Sequence, residues 1–244
     1  MRNYQEEFEA RVGFIRELAE KAGVRGIVFG NSGGKDSALV GILCKAACPD
    51  TVGVLLPCSS KQNYGRDMDD ARALAAQFEI ETRVVDLTAV REAMIASVGG
   101  DDTLNAAARN NIAPRLRMTA LYTIAAAEGR LVAGTGNRSE RYMGYFTKWG
   151  DGACDFNPIA DLTVTEVFEF LRYLNAPASI IGKAPSAGLF EGQTDENEMG
   201  VSYAAIDRWI FTGEAEEHDR AIIERYHAAS EHKRRGTAFY RRLE

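Results

Sequence analysis

The chain lacks any apolar run long enough to cross a membrane. Hydrophobic residues make up 45% of its 244 positions, but no stretch of about 18 consecutive apolar residues occurs. The N-terminus also lacks the short apolar core of a signal peptide. These absences argue against a membrane partner and favour a protein of the cytoplasm.

An excess of positive charge is also missing. The 29 Lys and Arg residues are outnumbered by 35 Asp and Glu residues, which gives a net charge of -6. General nucleic-acid binding usually needs a basic face, so no nucleic-acid partner is expected. Local charge decides whether a small anionic ligand binds, and the net charge does not exclude one.

Cysteine is scarce, and no pair has the C-x-x-C spacing of a metal or redox motif. A chain of this length can bury about 70% of the surface that its unfolded form exposes, so it needs no disulfide. Free thiols in packed positions are expected, as in a reducing cytoplasm. The four residues are Cys44, Cys48, Cys58 and Cys154.

What the sequence does contain is an alternation of helices and buried strands. Helical spacing of apolar residues predicts helices over 3–22, 38–47, 67–78, 115–128, 163–174, 202–211 and 215–230. Short apolar runs predict strands over 26–29, 51–56, 82–85 and 131–133. This order predicts an α/β fold, an open and mostly parallel twisted sheet with helices on both faces. Two polar segments, 98–114 and 182–200, are interpreted as mobile loops.

A glycine-rich turn follows the first predicted strand. Its sequence is Ser32-Gly33-Gly34-Lys35-Asp36-Ser37, and such a turn lets backbone N–H groups converge on an anion at a helix N-terminus. It is not a Walker A loop, because an Asp follows the Lys where Ser or Thr is required. A carboxylate beside phosphates is instead typical of a Mg²⁺ site. The turn therefore predicts ATP binding.

Several motifs in a fixed order narrow this interpretation. The turn itself resembles the pyrophosphate-binding motif of the ATP pyrophosphatase (adenine nucleotide α-hydrolase-like) superfamily. Within it, the chain resembles the NAD synthetase family over about residues 5–235. The segments that carry this resemblance are Arg115-Leu116-Arg117-Met118, 134–140, 144–155, Asn157-Pro158-Ile159, 185–189, 192–196 and His232-Lys233-Arg234.

The resemblance implies an amide synthesis. Such enzymes transfer AMP from ATP to the nicotinate carboxylate of deamido-NAD, release pyrophosphate, and let ammonia displace AMP to give NAD. Mg²⁺ is the implied cofactor and ATP the co-substrate. The family is homodimeric with the dinucleotide at the subunit interface, and the amphipathic helices 3–22 and 163–174 could supply that surface or simply pack in the core.

The resemblance also implies roles for individual residues. Asp36 and Glu140 are the expected Mg²⁺ ligands, although an acid at a helix N-terminus can serve only the helix. Asp151 is a candidate for orienting or deprotonating ammonia, although its Gly-Asp-Gly turn can exist for backbone shape alone. The expected ATP contacts are Gly30, Asn31, Ser32, Gly33, Gly34, Lys35, Asp36, Ser37, Thr135 and Ser186. The expected deamido-NAD contacts are Arg115, Lys148, Asp155, His232 and Lys233, with Lys148 also placed at the reacting groups.

The nitrogen source is a separate expectation. Glutamine-dependent relatives carry an additional glutaminase domain, whereas residues 1–244 are interpreted as one synthetase domain without it. Free ammonia, or ammonia from a separate protein, is the expected donor.

The sequence departs from the family pattern at one position. The family usually has an ATP-binding Lys where this chain has Val164. Replacing Val164 by Lys is therefore predicted to tighten ATP binding, and an unchanged or raised KM for ATP would contradict this.

Two alternatives stay open at this point. Another amide- or thio-transfer member of the superfamily, such as the synthetase part of GMP synthetase, is disfavoured by the Phe146-Thr147-Lys148 and Asn157-Pro158-Ile159 segments. A nucleotide-binding sensor without turnover is supported only by Val164 and disfavoured by the intact Asp36 and Glu140.

Overall fold

A computed structural model describes residues 2–58, 65–183 and 194–240. The strands are β1 (Gly26–Gly30), β2 (Thr51–Leu55), β3 (Glu81–Val84) and β4 (Arg130–Ala133). The helices up to β4 are α1 (Tyr4–Ala22), α2 (Lys35–Ala47), α3 (Arg66–Gln77), α4 (Thr88–Ser97), α5 (Ala106–Asn110) and α6 (Ile112–Glu128). Those after β4 are α7 (Arg138–Met143), α8 (Val164–Tyr173), α9 (Ala178–Ile181), α10 (Asp195–Met199), α11 (Tyr203–Thr212), α12 (Glu217–Ala229) and α13 (Glu231–Arg234).

The strands form an all-parallel sheet in the order β3-β2-β1-β4. The chain leaves β1 through α2 to reach β2 on one side, while β4 pairs with β1 on the other side. A crevice therefore opens between the carboxyl ends of β1 and β4, where open α/β sheets bind ligands. The α/β fold predicted from the sequence is confirmed.

Side chains of β1 alternate between two hydrophobic cores, one on each face of the sheet. Ile27 and Phe29 are fully buried in a core with α1, α2 and α8. Val28 points into the opposite core, where α6 packs. Period-two alternation of apolar side chains on a buried strand requires apolar layers on both faces. The helices on both faces thus follow from the composition of β1.

The C-terminal helices form a third apolar cluster beside the sheet. Ile206 of α11 and Ile223 of α12 are fully buried there against Met143 of α7. This cluster stands next to the carboxyl ends of the strands and closes the crevice from one side. None of the helices in the described part of the chain is long and apolar enough to traverse a lipid bilayer.

The interpretation of residues 98–114 as one mobile loop is wrong. This segment contains a 3₁₀ turn at Asp101–Thr103, helix α5 and the first turn of α6. The side chain of Asn105 accepts a hydrogen bond from the Ala108 N–H and caps α5. Such a cap satisfies one of the N–H groups that a helix N-terminus leaves open, which lets a short polar segment become helical.

The second predicted loop, 182–200, is partly helical as well. Its end forms α10, capped by the side chain of Thr194, while residues 184–193 lie outside the described part of the chain. The predicted helix 3–22 is confirmed as α1, and the predicted helix 163–174 as α8. Both bury their apolar faces in the core of the same chain, so their amphipathic pattern requires no partner subunit.

Candidate functional site

The glycine-rich turn joins β1 to α2 and presents its backbone to the crevice. Gly33 has φ +70°, a left-handed conformation that favours glycine. A Cβ at Gly33 would lie 2.1 Å from the Asp67 carbonyl oxygen of α3, so the turn is packed tightly against that helix. The predicted ATP contacts Lys35, Asp36 and Ser37 form the first turn of α2, where free N–H groups and the helix dipole favour an anion.

Two carboxylates and one ammonium meet beside this turn. The Lys35 Nζ lies 2.7 Å from Asp36 Oδ2 and 3.8 Å from Glu140 Oε1. All three side chains are at most 18% exposed. Burial, and then the charge of Asp36, raise the pKa of Glu140 well above its ordinary value. The two predicted Mg²⁺ ligands are therefore brought together, at a point where negative charge is unfavourable without a cation.

A buried asparagine holds these two carboxylates in place. The Asn137 Nδ2 donates to Asp36 Oδ1 at 3.0 Å, and its Oδ1 accepts from the Glu140 N–H at 2.9 Å. In return, Glu140 Oε2 accepts from the Asn137 N–H at 3.0 Å, which completes a capping box on α7. Glu140 therefore caps its helix with one oxygen and faces Lys35 with the other.

A cavity of about 660 Å³ lies above the turn. The carboxyl ends of β1, β2 and β4 form its floor. The predicted site residues that line it are Gly30, Asn31, Ser32, Gly34, Lys35, Asp36, Ser37, Thr135, Glu140, Asp151 and Lys233. Gly33 faces α3 instead, and Ser186 lies outside the described residues.

Four predicted dinucleotide contacts lie outside this cavity. The Arg115 Nη2 donates to the Lys148 carbonyl oxygen at 3.5 Å, and the Lys148 Nζ donates to the His232 carbonyl oxygen at 2.7 Å. Asp155 stands apart and accepts hydrogen bonds from the Tyr122 hydroxyl and the Val132 N–H. The sequence predicted that these four residues bind one ligand. In the structure, hydrogen bonds connect Arg115, Lys148 and His232, and Asp155 lies apart from them.

Asp151 lies inside the cavity, close to two cations. Its Oδ1 accepts a hydrogen bond from the Thr147 N–H at 3.0 Å. Burial raises the pKa of its carboxyl, while the hydrogen bond from the Thr147 N–H and the positive charges of Lys233 and Arg117 lower it. Asp151 lines the cavity, so its carboxylate can receive a proton from a bound amine.

The C-terminal segment forms one wall of the cavity. The Lys233 Nζ donates to the carbonyl oxygens of Gly144 and Phe146, each at 2.7 Å. The Arg234 Nη1 donates to the Tyr142 carbonyl oxygen at 3.2 Å. These contacts fasten α13 to the loop after α7, and so bring a basic tail to the site from the far end of the sequence.

Sequence reasoning gave no role to five charged residues that line the cavity, and three of them are Arg117, Asp195 and Lys183. Arg117 belongs to a motif that was recognised without a role for this side chain, and its Nε donates to the Leu56 carbonyl oxygen. Asp195 is buried and accepts from the Tyr203 hydroxyl at 3.1 Å. Lys183 contacts the phosphate-binding turn directly. For Lys183 the sequence carried no local signal, because its partners lie more than 100 positions away.

The structure changes the expectation for Val164. This residue is 4% exposed and packs in the C-terminal apolar cluster with Met143 and Tyr203. A Lys there would have to bury its stem and bring an ammonium out of an apolar environment, which is costly without a partner. The predicted gain in ATP affinity from V164K stays a prediction, and a loss of stability is now expected with it.

Comparison with known proteins agrees with this geometry. A family model described as NAD synthase matches residues 7–243. The NH₃-dependent NAD⁺ synthetase of Carboxydothermus hydrogenoformans is 46% identical over 236 residues, which are 96% of each chain. The chain belongs to the NAD synthase family. It is therefore an enzyme of the ligase class, and the predicted activity, ATP-dependent amidation of deamido-NAD by ammonia in the last step of NAD biosynthesis, is confirmed.

Two solved structures superpose on the chain over almost its whole length. The NMN synthetase of Francisella tularensis superposes with a TM-score of 0.92 at 37% identity, covering 98% of this chain and 99% of that one. The NH₃-dependent NAD synthetase of Campylobacter jejuni superposes with a TM-score of 0.80 at 29% identity, covering 99% and 100%.

Proposed function

We propose that the cavity holds ATP across the glycine-rich turn, with its α-phosphate facing the nicotinate carboxylate of deamido-NAD. The observation that carries this proposal is the meeting of Asp36, Glu140 and Lys35 beside a helix N-terminus. Backbone N–H groups and Lys35 bind phosphate oxygens there, and the two carboxylates bind a cation.

Mg²⁺ fits the donor set of this site. No group of three or more His, Cys, Asp and Glu side chains is arranged for a metal in the parts of the chain that are described. Mg²⁺, however, is usually held by one or two carboxylates together with substrate phosphates. Asp36 and Glu140 supply those carboxylates, and when bound the ion would offset the negative charge of the triphosphate.

The reaction proceeds in two displacements. A carboxylate oxygen of the nicotinate attacks the α-phosphorus of ATP, and pyrophosphate leaves from the turn. Ammonia then attacks the carbonyl carbon of the mixed anhydride, and AMP leaves with the carboxylate oxygen that made the bond. The proton lost by the nitrogen passes to Asp151, whose carboxyl has a raised pKa. The nitrogen donor is free ammonia, as in the ammonia-dependent relatives.

The outer residues bind the rest of the dinucleotide. Arg115, Lys148, His232 and Asp155 lie outside the cavity that holds Lys233, so a ligand that reaches both must extend out of it. A second copy of the chain covering this face would enclose the ligand, and we propose a homodimer. Light scattering on the eluted protein should give twice the monomer mass of 26.7 kDa, and a monomer would contradict the dimer.

We further propose the cytoplasm as the location of the enzyme. Cys44, Cys48 and Cys154 support this, because none of these thiols is paired in a disulfide.

The proposal is tested by incubating the protein with ATP, MgCl₂, ammonium chloride and deamido-NAD and measuring NAD. NAD formation that depends on all four additions is expected. Tight ATP binding without any NAD would instead support a nucleotide sensor. Formation of NAD from glutamine alone, without ammonium, would contradict the use of free ammonia.

A second candidate substrate is the mononucleotide of nicotinate. The close superposition on a structure named NMN synthetase favours it. The same site would then amidate the same carboxylate without an adenylyl half, and the outer residues would not be needed. Measuring kcat/KM with each substrate decides between them. An Asp155→Asn variant should lower kcat/KM for deamido-NAD if the dinucleotide is used, and should leave the mononucleotide reaction unchanged.

A further inference from the structure

Lys183 links three parts of the site that are far apart in the sequence. It follows α9, and its Nζ lies 2.5 Å from Asp67 Oδ1, 3.0 Å from Asp70 Oδ2 and 3.4 Å from the Gly33 carbonyl oxygen. The side chains of Lys183, Asp67 and Asp70 are 14%, 12% and 6% exposed. A lysine this buried and this close to two carboxylates is part of the packed structure, unlike a solvated lysine on the protein surface.

The charges of this group bear on ATP binding. Asp67 and Asp70 place two carboxylates on α3, directly behind the glycine-rich turn, and Asp67 lines the same cavity as Lys183. A triphosphate in the turn would be repelled by both, since charges separated from water interact strongly. Lys183 forms ion pairs with both carboxylates and offsets their charge.

The contact with Gly33 also fixes the backbone of the turn. Because a trans peptide is planar, its carbonyl oxygen and the next N–H point in opposite directions. Lys183 holds the Gly33 carbonyl oxygen on the α3 side, so the Gly34 N–H is directed away from α3. Gly34 lines the cavity, and its N–H donates to the Ser32 hydroxyl oxygen at 3.3 Å. A phosphate oxygen bound at the turn would accept from the same N–H in place of that hydroxyl.

We propose that Lys183 is a positioning residue for ATP: it neutralises Asp67 and Asp70 and holds the Gly33–Gly34 peptide in the orientation that receives phosphate. This inference rests on the proposed binding of ATP at the turn. Lys183 acts through the turn and the two aspartates, so its loss is expected to weaken ATP binding more than binding of the nicotinate substrate.

The test compares KM values for ATP and deamido-NAD among five variants. Lys183→Gln keeps a hydrogen-bond donor but removes the charge, and should raise the KM for ATP about tenfold or more with the KM for deamido-NAD changed less than twofold. Lys183→Arg should restore most of the ATP affinity, because a guanidinium can pair with both carboxylates. An exposed lysine of α1 provides the matched control, Lys21→Gln, which should behave as wild type.

Removing the lysine and the two carboxylates together tests whether Lys183 acts by offsetting the charges of Asp67 and Asp70. In the triple variant K183Q/D67N/D70N the repulsion is gone, and the KM for ATP should return to within about threefold of that of D67N/D70N. If the triple variant stays as impaired as K183Q, the charges of Asp67 and Asp70 are not what makes Lys183 necessary, and the proposal is overturned. An unchanged KM for ATP in K183Q also overturns it.

Folding and the underlying function are checked independently. Melting temperatures are measured for every variant, and if K183Q does not fold, the comparison of the triple variant with D67N/D70N decides the question. Calorimetric titration of wild type with ATP and MgCl₂ tests the proposed function itself. Absence of binding there contradicts the ATP site, whereas binding in wild type with unchanged binding in K183Q contradicts only the role of Lys183.

Discussion

Glu140 has two roles in the structure, and Asn137 connects it to Asp36. Glu140 caps α7 with one oxygen and turns the other toward Lys35, while Asn137 donates to Asp36 and accepts from the Glu140 backbone. The sequence motif predicted the pair as metal ligands, and it also allowed the simpler helix-capping role for Glu140. Both roles use the same geometry, because the cap fixes the carboxylate that faces the cation site.

We expect Glu140→Gln and Asp36→Asn each to lower kcat/KM for NAD formation by about 100-fold or more. Loss of a carboxylate at a metal site removes several kcal/mol of charge stabilisation, and each 1.4 kcal/mol corresponds to about a tenfold change in rate. The neutral amides keep the shape, so melting temperatures should stay near wild type. Steady-state kinetics checks this, with Glu20→Gln on the exposed side of α1 as control. Near-normal rates in both variants would contradict the assigned roles.

A substitution at Gly33 tests how tightly the glycine-rich turn packs against α3. Replacing it by Ala should destabilise the protein by about 1–3 kcal/mol through backbone strain alone, and more through the 2.1 Å approach to the Asp67 carbonyl oxygen. Gly213→Ala is a matched control, because Gly213 has φ +71° but a Cβ added there would have nothing within 4 Å. Thermal melting should rank G33A well below G213A. Equal melting temperatures would show that the close approach to α3 has no energetic weight.

At the scale of elements, the sequence predicted the strands and most of the longer helices, but it missed the ten-residue α4 and the short helices. Periodicity needs about three turns to be recognised, and α7, α9, α10 and α13 have six residues or fewer. The predicted helix 115–128 starts too late, directly after Pro114. Proline is tolerated in the first turn of a helix, where its missing N–H has no partner in any case, and α6 begins at Ile112.

The buried carboxylate of Asp207 links the N-terminal turns of α7 and α8 through hydrogen bonds. Asp207 of α11 accepts from the Ser139 hydroxyl at 2.5 Å and from the Thr165 N–H at 2.9 Å, and the Val164 N–H donates to the Ser139 hydroxyl oxygen at 3.2 Å. Asp207 is 4% exposed. No local pattern reveals this network, since its members are 25 to 68 positions apart.

Replacing Asp207 by Ala should destabilise the protein by about 3 kcal/mol, because each hydrogen bond to a charged group contributes about 1.5–3 kcal/mol. Asp207→Asn keeps one acceptor and should cost less. Urea unfolding gives the free energies, with the exposed Asp102→Ala as control. A cost for D207A no larger than for D102A would contradict the capping role of Asp207.

An ion-pair network that joins Arg83 of β3 to Arg130 of β4 through Glu128 has a defined pH dependence. Arg83 and then Arg130 donate to Glu128 and lower the pKa of its carboxyl to about 2. A carboxyl whose pKa is depressed in the folded state adds stability above its unfolded pKa of about 4.3, and loses it as the pH falls toward the folded value. Glu128→Gln should therefore flatten the fall in melting temperature between about pH 4.5 and pH 2, whereas the exposed Glu17→Gln should not. Parallel pH profiles for E128Q and wild type would contradict this.

At the scale of the whole molecule, the site is assembled from both ends of the chain. The phosphate-binding turn lies near the start, and Lys233 reaches the cavity from the last described helix through the carbonyl oxygens of Gly144 and Phe146. Ordered motifs predicted that these segments serve one ligand. They could not predict that Arg115, Lys148, His232 and Asp155 stand outside the cavity, or that Lys183 reaches Gly33, because both depend on tertiary packing.

The proposed reaction forms an amide by transferring AMP to a carboxylate. It is tested most directly with deamido-NAD labelled by ¹⁸O in both carboxylate oxygens, incubated with ATP, MgCl₂ and ammonium chloride, followed by mass spectrometry of the products. Transfer of AMP predicts one ¹⁸O in each AMP, none in pyrophosphate, and one AMP for each NAD formed. Release of ADP with ¹⁸O in inorganic phosphate, or AMP without label, would contradict it.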